Sequence, residues 1–241
     1  MNGIKSTVEQ SKVVETPVIS IARNGAMTSR RAAIQEESLI DFYVNDVLSN
    51  RFGCSADHVD ELAAGYLRTE GFVPDERSIL SLRVEPDLSR VDATITAHGR
   101  YPLSPVAPVV WQPEAVFRIA DEFALDKTAH ARTRGAHSAF LCDLDGHILC
   151  MREDIGRHNA FDKVVGWALL NGVDLAKCML YTSGRVSSDM ASKAIRAGIP
   201  VLVSKSVATD QGIALARMYA LTLICEARPM QFDLVNQTLT R

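Results

Sequence analysis

The sequence predicts an α/β protein, in which a largely parallel sheet carries helices on both faces and follows a smaller α+β domain. Two observations predict this class. Beyond residue 136, short apolar runs alternate with segments of helical periodicity, a pattern typical of parallel strands joined by helices. Before residue 100, strand-like runs surround a single amphipathic helix, and a span with four prolines, RYPLSPVAPVVWQP (100–113), separates the halves.

The first 112 residues divide into an arm and a small domain. Residues 1–35 are polar and weakly periodic, which predicts a flexible N-terminal arm. Within residues 36–112, LIDFYV (39–44) and the run from Val47 flank Asn45-Asp46, which predicts a β-hairpin. Helical spacing over 56–71 predicts a helix, and strands follow at 78–84 and 91–98. The proline-rich span is predicted to be a linker at the end of this domain.

Residues 113–241 are predicted to form an α/β ligand-binding domain. SAFLC (138–142) and ILCM (148–151) flank Asp145-Gly146, which predicts another hairpin. A two-residue turn there pairs Leu141 with Cys150 and Cys142 with Leu149, so the two thiols face opposite sides of the sheet. The other predicted elements are a helix from Pro113, helices near 156–171, 187–197 and 210–219, and strands at 178–182, 200–204 and 222–227.

Composition and charge exclude several classes of protein. Apolar residues make up 47% and the formal net charge is −3, which argues against a disordered chain and against a general nucleic-acid binder. No stretch has the roughly 18 consecutive apolar residues that span a bilayer, and the N-terminus lacks the apolar region of a secretory signal. We therefore expect a cytoplasmic protein with no membrane or nucleic-acid partner.

Five cysteines are present, and no two of them form a CxxC pair. An odd number without close spacing fits neither a disulfide framework nor a structural zinc site. The simpler interpretation is a set of reduced thiols, and no metal site is predicted. The five are Cys54, Cys142, Cys150, Cys178 and Cys225.

Three loops that follow predicted parallel strands each carry a basic residue, namely Arg185, Lys205 or Arg228. Ligands of open α/β sheets bind beyond the carboxyl ends of the strands, and helix N-termini at that edge favour anions. Together with the small residues Ser183 and Gly184, the cations predict a site for a phosphate-bearing ligand. The alternative is a solvated loop edge whose charges are there by chance.

A second set of polar residues, His137, Asp154, His158 and Asn159, surrounds the predicted hairpin. Asp154 could cap the helix that begins near Gly156, and His158 could be structural or could orient a ligand. A histidine pair near a carboxylate could also bind a metal or move protons, although the chain carries no zinc-deaminase signature.

Four segments resemble the formate dehydrogenase accessory protein (FdhD) family. They are DELAAGYLRTEGF, TRGAHSA, REDIGRHNAFDKVVGWAL and SGRVSSDMASKAIRAGIPVL, and the matches run in order between residues 36 and 235. The resemblance implies a cytoplasmic sulfur carrier whose main domain resembles the cytidine deaminase fold. Such a protein takes persulfide sulfur from a cysteine desulfurase and passes it to the molybdenum cofactor of formate dehydrogenase, and it tends to form homodimers.

The resemblance also implies a ligand and the residues that bind it. The family binds the molybdenum bis(molybdopterin guanine dinucleotide) cofactor, for which GDP is a partial mimic, and the pyrophosphates of that cofactor suit the basic edge. The strand-end argument and the resemblance converge on Arg185, Lys205 and Arg228 as phosphate ligands, and Asp154, His158 and Asn159 are expected to order the same edge. Together they predict a cofactor-binding set of Asp154, His158, Asn159, Ser183, Gly184, Arg185, Lys205, Glu226, Ala227, Arg228, Pro229, Met230 and Gln231.

Two departures from the family pattern bear on mechanism. The family usually carries a CxxC in a loop that corresponds to residues 99–112, which contain no cysteine here, and a persulfide requires a thiol. The family's GFxRGGxF stretch reads CEARPMQF (225–232) and has no glycine. Three hypotheses remain: a sulfurtransferase that uses Cys54 or Cys150, a protein that binds the cofactor or a guanine nucleotide without sulfur chemistry, and a hydrolase or deaminase that uses His137, His158 and Asp154.

Overall fold

The computed structural model describes residues 13–96, 99–125 and 135–237, which form three β-sheets and five α-helices. The mixed α/β class is therefore confirmed. No helix within these ranges is long and apolar enough to cross a membrane. The helices are α1 (Val59–Thr69), α2 (Pro113–Ala124), α3 (Arg157–Leu170), α4 (Ser188–Ala197) and α5 (Asp210–Met218). The strands are β1 (Val13–Ile21), β2 (Met27–Gln35), β3 (Ser38–Val44), β4 (Val47–Cys54), β5 (Ile79–Val84), β6 (Arg90–Ile95), β7 (His137–Asp143), β8 (Ile148–Asp154), β9 (Cys178–Thr182), β10 (Val201–Ser204), β11 (Thr222–Arg228) and β12 (Gln231–Asn236).

The six-stranded sheet is mixed, so the expectation of a largely parallel sheet is not confirmed. Its order is β12-β11-β10-β9-β7-β8, and β10 pairs in parallel with both β9 and β11. The β7–β8 and β11–β12 pairs are antiparallel, because a short turn can join only antiparallel neighbours. β7 is also antiparallel to β9. The likeness to cytidine deaminases stays a prediction.

Apolar residues on the two faces of this sheet form two cores. On one face, α3, α4 and α5 contribute Phe161, Met190 and Ala216 to a cluster with the sheet. On the other face, α2 packs through Val116 and Ile119. Helices therefore cover both faces, as predicted, because central strands that are apolar along their whole length must be buried on both sides.

The β7–β8 turn has one more residue than predicted. A left-handed glycine, Gly146, ends a three-residue loop over 144–146. Leu141 lies opposite Cys150, as predicted, whereas Cys142 lies opposite Ile148 and not opposite Leu149. The two thiols still face opposite cores, as predicted.

The four-stranded sheet of the N-terminal half has the order β4-β3-β6-β5. Asn45 and Asp46 both take positive φ, 48° and 65°, which confirms the predicted two-residue hairpin turn. One face of this sheet packs on α1 around Phe42 and Leu62. The small sheet therefore owes its core to a single helix.

α1 also packs directly against α3 of the larger unit. A Cβ atom on Gly65 would lie 1.8 Å from the Asp162 carbonyl oxygen, and one on Gly166 would lie 1.8 Å from the Glu61 carbonyl oxygen. The two helix backbones are in contact at these glycines, because no larger residue fits. This crossing fixes the small sheet beside the loops that follow β8.

The predicted linker packs against both cores of the larger sheet. Leu103 and Val106 contact the cluster on the α3 face, and Val109 and Trp111 contact the cluster on the α2 face. The Val106 N–H donates to the Tyr219 carbonyl at 3.0 Å. The span is therefore part of the packed structure, while the domain limits stay a prediction.

Residues 13–35, which the sequence predicts to be an arm, form an antiparallel hairpin of β1 and β2. Solvent reaches both faces of this hairpin, so the alternation of apolar and polar residues that marks a half-buried strand is missing. Residues 1–12 of the predicted arm, and Thr133 and Arg134 of the TRGAHSA segment, lie outside the described residues.

Candidate functional site

One edge of the six-stranded sheet collects the carboxyl ends of β8, β9, β10 and β11. These four strands run in the same direction, whereas β7 begins at this edge with His137. Helices α3, α4 and α5 each begin just beyond it. We call this region the loop edge. The residues that the sequence predicts to bind the cofactor, together with His137, lie on strands, loops or first helical turns at this edge.

Hydrogen bonds hold the loop from 183 to 185 in place. The Ser183 hydroxyl accepts from the Ser138 N–H at 3.1 Å and lies 3.1 Å from His137 Nδ1. The Gly184 carbonyl accepts from the Ser204 hydroxyl at 2.7 Å. Arg185 follows as an exposed side chain, so a rigid loop presents its guanidinium to solvent.

Lys205 and the β11–β12 turn lie on the α2 side of the loop edge. The Lys205 ammonium sits 4.7 Å from the centre of the Phe123 ring, a cation–π contact. The Tyr181 hydroxyl donates to the Ala227 carbonyl at 3.0 Å, and the Tyr181 and Phe123 rings are 5.1 Å apart. Aromatic side chains thus connect Lys205 with the turn.

The β11–β12 turn is built without glycine. Glu226 takes a positive φ of 49°, and its carboxylate pairs with Arg228 at 3.1 Å. Pro229 and Met230 form the turn, Gln231 begins β12, and all three residues are exposed. Glu226 therefore lies in β11, where the register with β12 is irregular between Cys225 and Arg228, and none of the positions where the family pattern has glycine, 225, 229 and 230, takes a positive φ.

Arg157 is a fourth cation of the loop edge, and the sequence analysis missed it. It is the first residue of α3, and its side chain packs on Gly184, where an added Cβ would lie 2.9 Å from the Arg157 Cβ. Its Nε is buried and has no hydrogen-bond partner among the described residues. The rule that selected the other loops also applies to the loop after β8, because β8 runs in the direction of β9.

Asp154 and Asn159 order the loop after β8 from inside the protein. Asp154 is fully buried, lies 2.7 Å from Lys163 Nζ, and accepts from the Gly156 N–H and from Asn159 Nδ2, each at 2.9 Å. Burial by itself would lower the pKa of Lys163, but the charges of Asp154 and Asp57 outweigh it and raise that pKa. Asp154 therefore acts through its neighbours and has no free side towards solvent.

His158 lines a separate cleft of about 240 Å³ between α1, α3, α4 and β4. Burial, together with the charges of Arg157 and Lys193, lowers the pKa of His158 to about 4. Its Nε2 is buried without a hydrogen-bond partner in the described part of the chain. Lys193 is held there by Asp162 at 2.8 Å and by Glu70 at 3.0 Å. His158 is therefore a neutral imidazole in a polar cleft.

The three residues of the deaminase hypothesis are not gathered into a metal site. Within the described ranges, one group of three potential ligands has its atoms within 4.8 Å of one another, and it consists of Asp143, Asp145 and His147 on the β7–β8 turn. Asp154 is committed to its ion pair with Lys163. Asp154 therefore cannot serve as the free carboxylate that this hypothesis requires beside His137 or His158.

All five cysteines are buried. Burial raises the pKa of Cys54 and Cys150 to about 12 and that of Cys178 and Cys225 to about 11, and it also raises the pKa of Cys142. Since the thiolate is the reactive form, thiols in this environment are inert. Cys54 and Cys150, the two candidates for sulfur transfer, share this environment with the others.

Comparisons with known proteins agree over most of the chain. The sequence model of the FdhD/NarQ family matches residues 100–238. The sulfur carrier protein FdhD of Bacillus subtilis is 29% identical over 208 residues, which cover 75% of this chain and 79% of the relative. Protein FdhD of Methanocaldococcus jannaschii is 45% identical over 199 residues, which cover 82% and 86%. A crystal structure assigned to a formate dehydrogenase accessory protein from Desulfotalea psychrophila superimposes with a TM-score of 0.81 at 27% identity, and the match covers 93% of this chain and 96% of that one.

Proposed function

Because this chain belongs to the FdhD/NarQ family, we propose that it serves the maturation of formate dehydrogenase by holding the molybdenum bis(molybdopterin guanine dinucleotide) cofactor as cargo, without carrying sulfur on its own cysteines. The role in maturation rests on its relatives, which are named sulfur carrier proteins and a formate dehydrogenase accessory protein. The choice of binding over sulfur transfer rests on one observation, the burial of every thiol in a chain without a CxxC.

The loop edge fits the phosphates of such a cargo. Arg157, Arg185, Lys205 and Arg228 supply four cations there. Neither α3 nor α4 has a side chain that caps its first N–H groups, and such free N–H groups bind anions. The Ser187 hydroxyl at the start of α4 is buried without a hydrogen-bond partner among the described residues. Unpaired donors beside cations support a pyrophosphate ligand.

The polar residues beside the cations have distinct tasks in this proposal. Gly184 leaves room for the Arg157 side chain, which a larger residue would displace. Ser183 and His137 brace the loop that carries Arg185. Asp154 braces the first turn of α3. None of these tasks requires a proton or a sulfur atom to move.

Titration calorimetry with GDP tests the binding part of the proposal. Arg185→Ala and Arg228→Ala should each raise the Kd by about 5- to 30-fold, because a charge-assisted hydrogen bond to phosphate contributes roughly 1–2 kcal/mol at an exposed edge. Arg77→Ala is the matched control, since Arg77 is an exposed arginine on the turn before β5. Unchanged affinity in both loop-edge variants, or an equal loss in the control, would contradict the proposal.

Sulfur transfer is the second candidate, and the names of the relatives favour it. Incubation with a cysteine desulfurase and labelled cysteine distinguishes the two functions. We expect no persulfide label on the native protein, whereas label on Cys54 or Cys150 would overturn the sulfur-free mechanism. Restoration of formate dehydrogenase activity in a strain that lacks its own accessory protein would then show whether binding is sufficient.

A further inference from the structure

The cleft that contains His158 has the size and the walls of a site for a flat ring. Its volume is about 240 Å³, and it lies between β4, α1, α3 and α4. A cavity of about 150 Å³ holds a benzene ring, so this cleft has room for a bicyclic one. Two aromatic side chains, Phe52 and Tyr66, belong to its walls. Aromatic side chains bind the faces of nucleobases by stacking.

Three carboxylates line the cleft, and one of them has no ion pair within the described residues. Lys193 Nζ holds Asp162 at 2.8 Å and Glu70 at 3.0 Å. Asp189, in the first turn of α4, is exposed and makes no salt bridge or side-chain hydrogen bond to a described residue. His158 does not neutralise it, because burial lowers the pKa of His158 to about 4. The cleft therefore offers a free anionic acceptor for N–H groups.

Asn50 supplies a second free polar group from the β4 wall of the cleft. Its side chain lines the cleft and makes no hydrogen bond to another residue that the structure describes. A side-chain amide can donate two hydrogen bonds and also accept. The cleft thus combines a free carboxylate, a free amide and aromatic walls.

The cleft adjoins the phosphate site proposed for the loop edge. Arg157, a cation of the loop edge, and His158 are consecutive residues in the first turn of α3. Ser187, whose unpaired hydroxyl lies at the start of α4, precedes Asp189 by two positions. The first turns of these two helices therefore lie between the cleft and the phosphate site, and one extended ligand can reach both.

We propose that the cleft binds the base of the nucleotide whose diphosphate lies at the loop edge, and that Asp189 selects guanine. This inference rests on the proposed function, because the bound diphosphate brings the base to the cleft. Guanine carries two neighbouring N–H donors, at N1 and at the 2-amino group, beside the O6 acceptor. The Asp189 carboxylate accepts from both donors, and the Asn50 amide donates to O6. Adenine lacks both donors, so it leaves the carboxylate unpaired.

Titration calorimetry with four ligands separates the contribution of the base from that of the phosphates. Inorganic pyrophosphate reports on the loop edge alone, and GDP, ADP and IDP share one diphosphate but differ in the base. GDP should bind at least about 10-fold more tightly than ADP, because hydrogen bonds to a charged acceptor are the stronger ones. IDP lacks the 2-amino group and should bind about 5- to 10-fold more weakly than GDP.

Asp189→Asn tests the residue itself, because it replaces one acceptor with a donor at nearly constant size. The variant should bind GDP at least about 10-fold more weakly. It should also prefer xanthosine diphosphate to GDP, since the C2 oxygen of xanthine accepts from the new amide. Its affinity for pyrophosphate should not fall, because the substitution removes a negative charge near the phosphates. Asp210→Asn is the matched control, as Asp210 is an exposed acid in the first turn of α5, and its affinities should stay within about twofold of the native ones.

Three results would overturn the inference: equal affinity of the native protein for GDP and ADP, equal weakening of GDP and ADP in Asp189→Asn, or an unchanged preference for GDP over xanthosine diphosphate in that variant. Pyrophosphate binding alongside any of them would leave the phosphate site in place. Binding of neither GDP nor pyrophosphate would instead overturn the proposed function, and this inference with it. Asp189 is exposed, so its variant should keep the native melting temperature, and a loss of GDP binding then reports on the contact with the base.

Discussion

Alkylation of the native protein measures the state of its thiols. Burial raises the pKa of Cys54 and Cys150 to about 12, against an ordinary value of 9.0. Three pKa units lower the thiolate fraction near neutral pH by about 1,000-fold, and the thiolate is the form that reacts. Iodoacetamide at pH 8 should therefore modify these two thiols about 1,000 times more slowly than free cysteine, even before restricted access is counted.

Intact-mass spectrometry follows this reaction over time. Protein unfolded in urea should gain five adducts quickly, and native protein should gain none over the same period. The native rate should rise about tenfold per pH unit up to pH 10, because each unit raises the thiolate fraction tenfold below the pKa. One adduct formed at the rate of free cysteine, or a rate that levels off below pH 9, would refute the burial argument and restore sulfur transfer as a function.

Three further predictions concern the framework of the site. Gly166→Ala should destabilise the protein by about 2–4 kcal/mol in urea unfolding, although alanine stabilises a solvent-exposed helix by about 1 kcal/mol relative to glycine. The control Gly172→Ala, whose added Cβ meets open space at a φ of +67°, should cost only about 1 kcal/mol. A Gly166→Ala protein as stable as the native one would disprove the backbone contact. Lys163→Met removes the cation that pairs with the buried Asp154 and the partly buried Asp57, and it should cost about 3–5 kcal/mol, against about 0.5 kcal/mol or less for the exposed Lys177→Met. His158 should titrate near pH 4 when followed by NMR. Because its pKa in the folded protein lies below the unfolded value of 6.5, its contribution to stability is complete above pH 6.5 and is lost as the pH falls towards 4. A titration midpoint at pH 6 would contradict this.

Local patterns predict most of the elements around the site. The strands and helices after residue 136 follow from apolar runs and helical spacing, and the turn at Asn45-Asp46 follows from residues that tolerate positive φ. The register at Cys142 does not follow from the sequence, because Gly146 can end a three-residue loop as well as it can occupy a two-residue turn. The β1–β2 hairpin is also missed, because strands exposed on both faces carry no alternating pattern.

The loop edge shows the same division. Strand order along the chain brings Arg185, Lys205 and Arg228 to one edge of the sheet, so topology alone predicts them as neighbours. Arg157 is missed, since the direction of β8 depends on its pairing with β7 and on the pairing of β7 with β9. The contact of Lys205 with the Phe123 ring joins residues that are far apart in the sequence, and no spacing rule predicts it.

The sequence by itself determines the lineage of this protein, its mixed α/β class, the absence of a CxxC and the cations that follow its central strands, because motifs and local periodicity are written along the chain. Only the tertiary structure decides whether a thiol or an imidazole is reactive. The inert state of Cys54 and the neutral state of His158 result from burial and from charges contributed by distant segments. Packing, and not the residue type, sets the chemistry that each of these side chains can perform.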